Sequence, residues 1–96
     1  MFARNVNFQV KTGMEKDFLK VMNADVLPLL KTQDGFREEL TLVTGDRGLG
    51  ISVWNDKVSA EKYATTVFPD VLKKLTPYLT AAPKVDLCEV GATTLH

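Results

Sequence analysis

Hydrophobic and polar residues alternate at the start of the chain, over residues 2–11. This two-residue period predicts a β-strand with one buried face. Arg4 falls on the apolar side and has two interpretations. It is either a strand-end side chain that reaches solvent over a packed stem, or a charged group in a pocket. The apolar side otherwise holds Phe2, Val6, Phe8 and Val10.

A four-residue hydrophobic spacing follows and predicts a first helix with one apolar stripe. Thr12 stands three residues before Glu15, which predicts a capping box at the helix start. Pro28 cannot donate to the carbonyl four residues earlier, so we expect a kink near residues 25–27. The stripe consists of Met14, Phe18, Met22 and Val26.

Alternation returns over residues 36–44 and again over residues 49–53, and the intervening TGDRG segment is typical of a tight β-hairpin connection. On the first hairpin strand, Glu38 shares a face with Leu40 and Leu42. On the second strand we expect the aliphatic side chains to face the helices, which would place Trp54 on the other face of the sheet. These aliphatic side chains are Leu49, Ile51 and Val53.

Asn55 or Asp56 can cap a second helix, which Phe68 and Pro69 should interrupt before a final strand over residues 85–94. The order β-α-β-β-α-β predicts an α+β, ferredoxin-like fold, with four antiparallel strands and two kinked helices on one face. We expect a single domain over residues 1–96. On the final strand we expect Cys88 to be a buried, small apolar group.

One face of such a sheet has no helix on it, and we expect a second copy of the chain to cover it. Asn5, Asn7 and Trp54 are the expected interface residues. Trp54 has two interpretations, stacking on a substrate or anchoring the dimer, and the second is favoured because tryptophan is enriched among residues that carry binding energy.

The charge balance adds little, because twelve basic and twelve acidic side chains cancel and the two signs are interleaved along the chain. No basic patch for nucleic acid is visible, and no apolar run approaches the roughly 20 residues that cross a bilayer. The lone Cys88 and the lack of an N-terminal apolar leader favour a cytoplasmic location. We therefore expect neither nucleic acid nor membrane as a partner.

Three segments resemble the antibiotic biosynthesis monooxygenase-like family of dimeric α+β barrels: TG-x-E-x-x-F, VLPLLKTQDGF and ISVWNDKVSAEKYATTVFPDVLKKL. The resemblance covers nearly the whole chain and implies a homodimer. It also implies cofactor-independent oxidation of a small aromatic compound. The alternative is a non-catalytic dimeric module, stress-related or otherwise, that binds a small hydrophobic ligand.

The family also includes haem-degrading enzymes, and the resemblance to that branch is incomplete. It implies an asparagine on the first strand, and a tryptophan and a histidine on the second helix. This sequence has Val6, Tyr63, and Lys73 or Lys74 at those positions, and its one histidine, His96, is the last residue. A haem ligand on the second helix is missing, so we expect no cofactor.

A pocket between the helices and the sheet is the default ligand site of such a domain. Arg4 and Glu38 interrupt apolar strand faces, and Tyr63 and Tyr78 offer phenol groups from the second helix, so these four are the candidate substrate-binding residues. In the alternative interpretation, the tyrosines pack with their hydroxyls at the rim and the charges reach solvent. The pattern assigns no catalytic residue.

Other chemistries find little support in the sequence. One histidine, one cysteine and scattered carboxylates provide neither a metal site nor a nucleophile with its base. The G-x-x-G-x-G pattern at residues 45–50 lies in the predicted hairpin and does not open a helix, so it does not predict a phosphate site.

Overall fold

The computed structural model describes residues 1–95, which form one four-stranded sheet covered by helices on one face. The strands are β1 (Phe2–Gln9), β2 (Phe36–Thr44), β3 (Arg47–Trp54) and β4 (Lys84–Glu89). The helices are α1 (Glu15–Val21), α2 (Leu27–Leu30), α3 (Lys57–Thr66) and α4 (Phe68–Leu75). The strand order is β2-β3-β1-β4 with every pair antiparallel, which confirms the predicted α+β, ferredoxin-like β-α-β-β-α-β fold.

Each helical segment is broken at a proline, as the sequence predicted. A π-helical turn, Met22–Val26, joins α1 to α2, and Pro28 lies in the first turn of α2, where its missing N–H costs little. Pro69 has the same place in α4, and only Val67 separates α4 from α3. No helix within residues 1–95 combines the length and hydropathy of a membrane span.

The two helix starts differ from each other in their capping. The predicted capping box of Thr12 and Glu15 is wrong, because Met14 holds the capping position and no side chain caps α1. At α3, Asp56 is the capping residue, and its carboxylate accepts a hydrogen bond from the Ser59 backbone N–H at 2.8 Å.

A β-bulge near the start of β2 reverses which side chains face the helices. Phe36 lies opposite Trp54, whereas Glu38 already lies opposite the preceding residue of β3, so Arg37 is an extra residue in the ladder. Glu39, and not Glu38, consequently faces the helices. The expected placement of Glu38 on the helix side is wrong.

Small residues on β3 face the helices, and its aliphatic residues face away. Gly48, Gly50 and Ser52 are buried on the same face as Trp54, which is completely buried. The predicted orientation of this strand is therefore wrong, including the exposure of Trp54 to a partner. The partly exposed residues on the open face are Leu49, Ile51 and Val53.

Strand β4 lies at the edge of the sheet, and all its residues are exposed. Cys88 is therefore exposed, and the expectation of a buried cysteine is wrong. Its sulfur lies 3.6 Å from the amide nitrogen of Asn5 on the open face. His96, on which the haem argument partly depends, lies outside the described residues.

Candidate functional site

A small cavity lies between the centre of the sheet and the helices, with a volume of about 20 Å³. This is room for about one water molecule. Gly50 and Ser52 form its floor, and three ionisable side chains reach it: Arg4, Glu39 and Tyr63. The rest of the lining is apolar and includes Val6, Phe8, Met22, Phe68, Val71 and Leu75.

Arg4 is buried, with 4% of its surface exposed, so the interpretation that it reaches solvent is wrong. Its guanidinium carbon lies 5.2 Å from the ring centre of Tyr63 and 4.4 Å from that of Phe68, within the range of cation–π contacts. Burial lowers the pKa of Arg4, while Tyr63 and Glu39 oppose that shift. The group nevertheless stays a cation at neutral pH, because arginine is not deprotonated in proteins.

Within residues 1–95, this buried cation forms no ion pair, although the charge of Glu39 acts on it from the same cavity. Among residues 1–95, the side-chain ion pairs are Lys57–Glu61 and Lys62–Asp34, both at the surface, and Arg4 takes part in neither. A buried charge without a partner is costly unless water or a ligand supplies hydrogen bonds. The guanidinium donors are thus available to an acceptor placed in the cavity.

Glu39 reaches the cavity from β2 and holds its carboxyl group in a largely apolar environment. One oxygen, Oε1, lies 3.4 Å from the Thr41 hydroxyl oxygen, and the other, Oε2, is buried without a hydrogen-bond partner in residues 1–95. Burial raises the pKa of Glu39 to about 7, against the hydrogen bond from Thr41 and the charge of Arg4. A Cβ at Gly50 would lie 3.2 Å from Oε1, so the glycine provides the space for this carboxyl group.

Aromatic rings form the wall at one end of the cavity. The Tyr63 ring centre lies 4.9 Å from that of Trp54, whose indole N–H donates to the Ser52 hydroxyl at 2.9 Å. Burial raises the pKa of Tyr63 to about 12, with Arg4 lowering it and Glu39 raising it. The Tyr63 phenol is therefore neutral and protonated at physiological pH.

The structure brings together two of the four predicted substrate-binding residues, Arg4 and Tyr63. Glu38 lies on the opposite face of the sheet, because the bulge shifts its register. Tyr78 lies in a 3₁₀ turn, Thr76–Tyr78, and lines a surface groove beside Asp17 instead of the cavity.

Of the three predicted interface residues, two lie on the open face of the sheet and one is buried under the helices. Asn5 and Asn7 lie on the open face, opposite Ile51 and Leu49 of β3, where a partner could reach them. Trp54 is enclosed under the helices and presents no surface to a second chain.

The sequence interpretation missed three residues that shape the cavity: Glu39, Phe68 and Ser52. The sequence predicts only a helix break at Phe68, and the predicted orientation of β3 places Ser52, like Trp54, away from the helices. The adjacent glutamates at positions 38 and 39 guarantee that one of them faces each side of the sheet. Only the register with β3 decides which one faces the helices.

Within residues 1–95, no group of three histidine, cysteine or carboxylate side chains is placed to hold a metal ion.

No family model matches this sequence, and no curated protein matches it. Solved structures do match its backbone. The monooxygenase from the gene ActVA-Orf6 of Streptomyces coelicolor, in complex with nanaomycin D, has a TM-score of 0.79 at 16% identity, over 99% of this chain and 92% of that one. The chain has the fold of this monooxygenase.

A second similar structure is a variant of SnoaB, a cofactor-independent oxygenase from Streptomyces nogalater. It has a TM-score of 0.79 at 21% identity and covers 97% of this chain and 95% of its own. NE2512, a protein of unknown function from Nitrosomonas europaea, has a TM-score of 0.78 at 20% identity, over 99% and 93% of the two chains. At these identities the similarity establishes the fold, and the activity has to be argued from the cavity.

Proposed function

We propose that this protein is a homodimeric, cofactor-independent oxygenase that acts on a small phenolic aromatic compound, with its substrate site in the cavity of Arg4 and Glu39. The observation that carries the proposal is a buried guanidinium without an ion-pair partner within residues 1–95, in the same largely apolar cavity as a carboxylate oxygen that has no hydrogen-bond partner among these residues. The fold shared with a monooxygenase and with a cofactor-independent oxygenase supports it.

The proposed oxidation needs only the phenol and O₂ as reactants. A phenol with a hydrogen on its para carbon reacts with one O₂ to give a quinone and one water, so atoms and electrons balance without another reductant or a cofactor. Removal of the phenol proton gives a phenolate, which is more electron-rich than the phenol and carries most of its negative charge on the oxygen. Arg4, already desolvated, stabilises that charge without reorganising.

An aromatic ring is larger than the cavity, so binding requires side chains to move. Phe68 is half-buried, and it begins α4 directly after the break between the two helices. Met22 is unbranched and adapts its shape readily. We expect these two side chains to move when the ligand binds. The floor cannot provide more space, because Gly50 and Ser52 are already small.

The open face of the sheet supports the homodimer. Leu40 and Leu42 are each 51% exposed there, beside the partly exposed aliphatic residues of β3. A contiguous apolar face of this kind suits isologous pairing with a second copy. The proposed homodimer acts in the cytoplasm on a free small molecule, in keeping with its balanced charge and without a nucleic-acid or membrane partner.

The apolar character of most of the lining also favours a second function, a non-catalytic module that binds a small hydrophobic ligand. Oxygen uptake separates the two. The purified protein is supplied with 1-naphthol and with a panel of hydroxyanthraquinones, and quinone formation is followed with an oxygen electrode. The oxygenase predicts one O₂ per quinone formed and no turnover of 1-methoxynaphthalene, which lacks the ionisable proton.

The variant Arg4→Met tests the role of the guanidinium in this experiment, because methionine keeps an unbranched apolar stem and removes the charge. We expect it to lower the turnover rate roughly a hundredfold, as for loss of a charge-stabilising donor. Binding of 1-naphthol without oxygen uptake would support the non-catalytic module. Absence of any binding would exclude both functions.

A further inference from the structure

We infer that Glu39 is the proton acceptor of this cavity: its Oε2 takes the phenolic proton of the ligand while the Arg4 guanidinium binds the resulting phenolate oxygen. The inference rests on the proposed function, because it assigns a role within the same site. It also gives a reason why the ligand needs a free aromatic hydroxyl group, since the carboxylate receives the proton of that group.

The unpartnered oxygen of Glu39, Oε2, is the atom that can accept the phenolic proton. Oε1 of Glu39 lies beside the Thr41 hydroxyl and over Gly50, whereas Oε2 is buried and has no hydrogen-bond partner in residues 1–95. Buried polar atoms are almost always hydrogen-bonded, so an unpartnered one in a cavity marks a place for a donor. A phenol hydroxyl is such a donor.

The step balances in atoms and charge. The O–H bond of the phenol breaks, an O–H bond forms on Oε2, and the negative charge passes from Glu39 to the phenol oxygen. The net charge of the cavity is unchanged, so Arg4 faces one anion before the transfer and one anion after it. The guanidinium lies over the rings of Tyr63 and Phe68.

The surroundings of Glu39 make it a better base than an ordinary glutamate. Burial raises its pKa to about 7, so the carboxylate has a higher proton affinity and is still substantially ionised at neutral pH. Arg4 of β1 is the charged group that acts on it from a neighbouring element, and Tyr63 of α3, which also lines the cavity, stays neutral in this range. The floor from β3 contributes glycine and serine, which do not titrate.

The experiment measures 1-naphthol binding without oxygen. An anaerobic absorbance titration from about pH 5 to about pH 9 distinguishes naphthol from naphtholate and yields the affinity at each pH. Because the ligand needs the ionised carboxylate, we expect the wild-type affinity to rise roughly tenfold per pH unit up to about pH 7 and then to level off. The naphtholate spectrum should appear on binding at a pH where free naphthol remains protonated.

Glu39→Gln should abolish both the pH rise and the naphtholate spectrum. Glu38→Gln is the matched control, because Glu38 adjoins Glu39 in the chain and lies on the other face of the sheet. Glu39→Asp keeps a carboxyl group and should keep the pH dependence with a weaker affinity. This third variant also covers the case in which Glu39→Gln fails to fold.

The outcomes separate the inference from the function on which it rests. A wild-type pH profile in Glu39→Gln, or equal affinity for 1-naphthol and 1-methoxynaphthalene, would overturn the role of Glu39 even if oxygen uptake occurs in air. Proton transfer on binding with no uptake in air would overturn only the oxidation. If 1-naphthol does not bind at any pH, both are wrong.

Discussion

The guanidinium carbon of Arg4 lies 4.4 Å from the ring centre of Phe68, and this half-buried ring covers the cavity at the helix break. Phe68→Ala should therefore open the cavity. We expect the free energy of unfolding to fall by about 2 kcal/mol, below the usual range for a fully buried phenylalanine. We also expect 1-naphthol to associate roughly tenfold faster in stopped-flow mixing, since no ring has to move aside.

Phe36→Ala is the control for this comparison. Phe36 is also half-buried and packs edge-on against Trp54, with ring centres 5.5 Å apart, but it does not line the cavity. It should lose a similar amount of stability without a faster association. Equal association rates in the two variants would show that Phe68 does not limit access.

A buried hydrogen bond from the Trp54 indole to Ser52 fixes the aromatic wall of the cavity. Ser52→Ala leaves the indole N–H buried without an acceptor, which should lower the free energy of unfolding by about 2 kcal/mol. In the background Trp54→Phe, which has no N–H, the same serine substitution should cost much less. Urea denaturation of the four proteins in this double-mutant cycle measures the coupling, and additive effects would argue against the hydrogen bond.

The sequence predicts the element order, the β2–β3 hairpin and both helix breaks, because these depend on local signals. Proline position, alternation and the four-residue helical spacing each act over a few neighbours. Pro28 and Pro69 lie where the helices break, and the glycine and aspartate between β2 and β3 form the expected turn. The fold followed from these features alone.

The orientation of β3 could not be predicted in this way. Alternation separates two faces of a strand but does not say which face the helices cover. Leu49, Ile51 and Val53 have the appearance of a core face, yet the rings of Phe8 and Phe18 occupy the space above the glycines on the other side.

The candidate site was half predicted for a related reason. Arg4 and Tyr63 stand out from their surroundings in the sequence. In the structure, the guanidinium carbon of Arg4 lies 5.2 Å from the ring centre of Tyr63. Glu39 did not stand out, because the extra residue Arg37 reverses the alternation of β2 after Phe36. A bulge depends on pairing with a strand distant in sequence, so it left no local signal.

The raised pKa of Glu39 makes protein stability depend on pH. Its pKa lies at about 7 in the folded chain and near 4.5 when unfolded, so the folded state binds the proton more tightly. The stability from this group is fully present below about pH 4.5 and is lost as the pH rises through about 7. The full change is on the order of 3 kcal/mol.

Urea denaturation at several pH values measures that loss. Other carboxylates add their own pH dependence, so the informative quantity is the difference between wild type and Glu39→Gln. Relative to wild type, this variant should gain stability as the pH rises, while Glu38→Gln should follow wild type. A constant difference between wild type and Glu39→Gln would show that the carboxyl group is not desolvated.

The open sheet face predicts how the proposed homodimer can be dissociated. Leu42 is 51% exposed and pairs with Leu49 on the apolar face. Leu42→Lys places a charge where the second copy would pack, and desolvating it without a partner is costly. Sedimentation velocity should show a dimer for the wild type and a monomer for Leu42→Lys at micromolar concentration.

Two further variants decide whether the sheet face itself is responsible. Val58→Lys adds the same charge on α3, at a side chain 74% exposed on the helical side, and it should leave the dimer intact. Trp54→Ala should destabilise the chain without weakening the interface selectively, because its ring is completely buried within one chain. If Leu42→Lys sediments as the same dimer as wild type, the two copies pair through another surface, and the apolar sheet face needs a different partner.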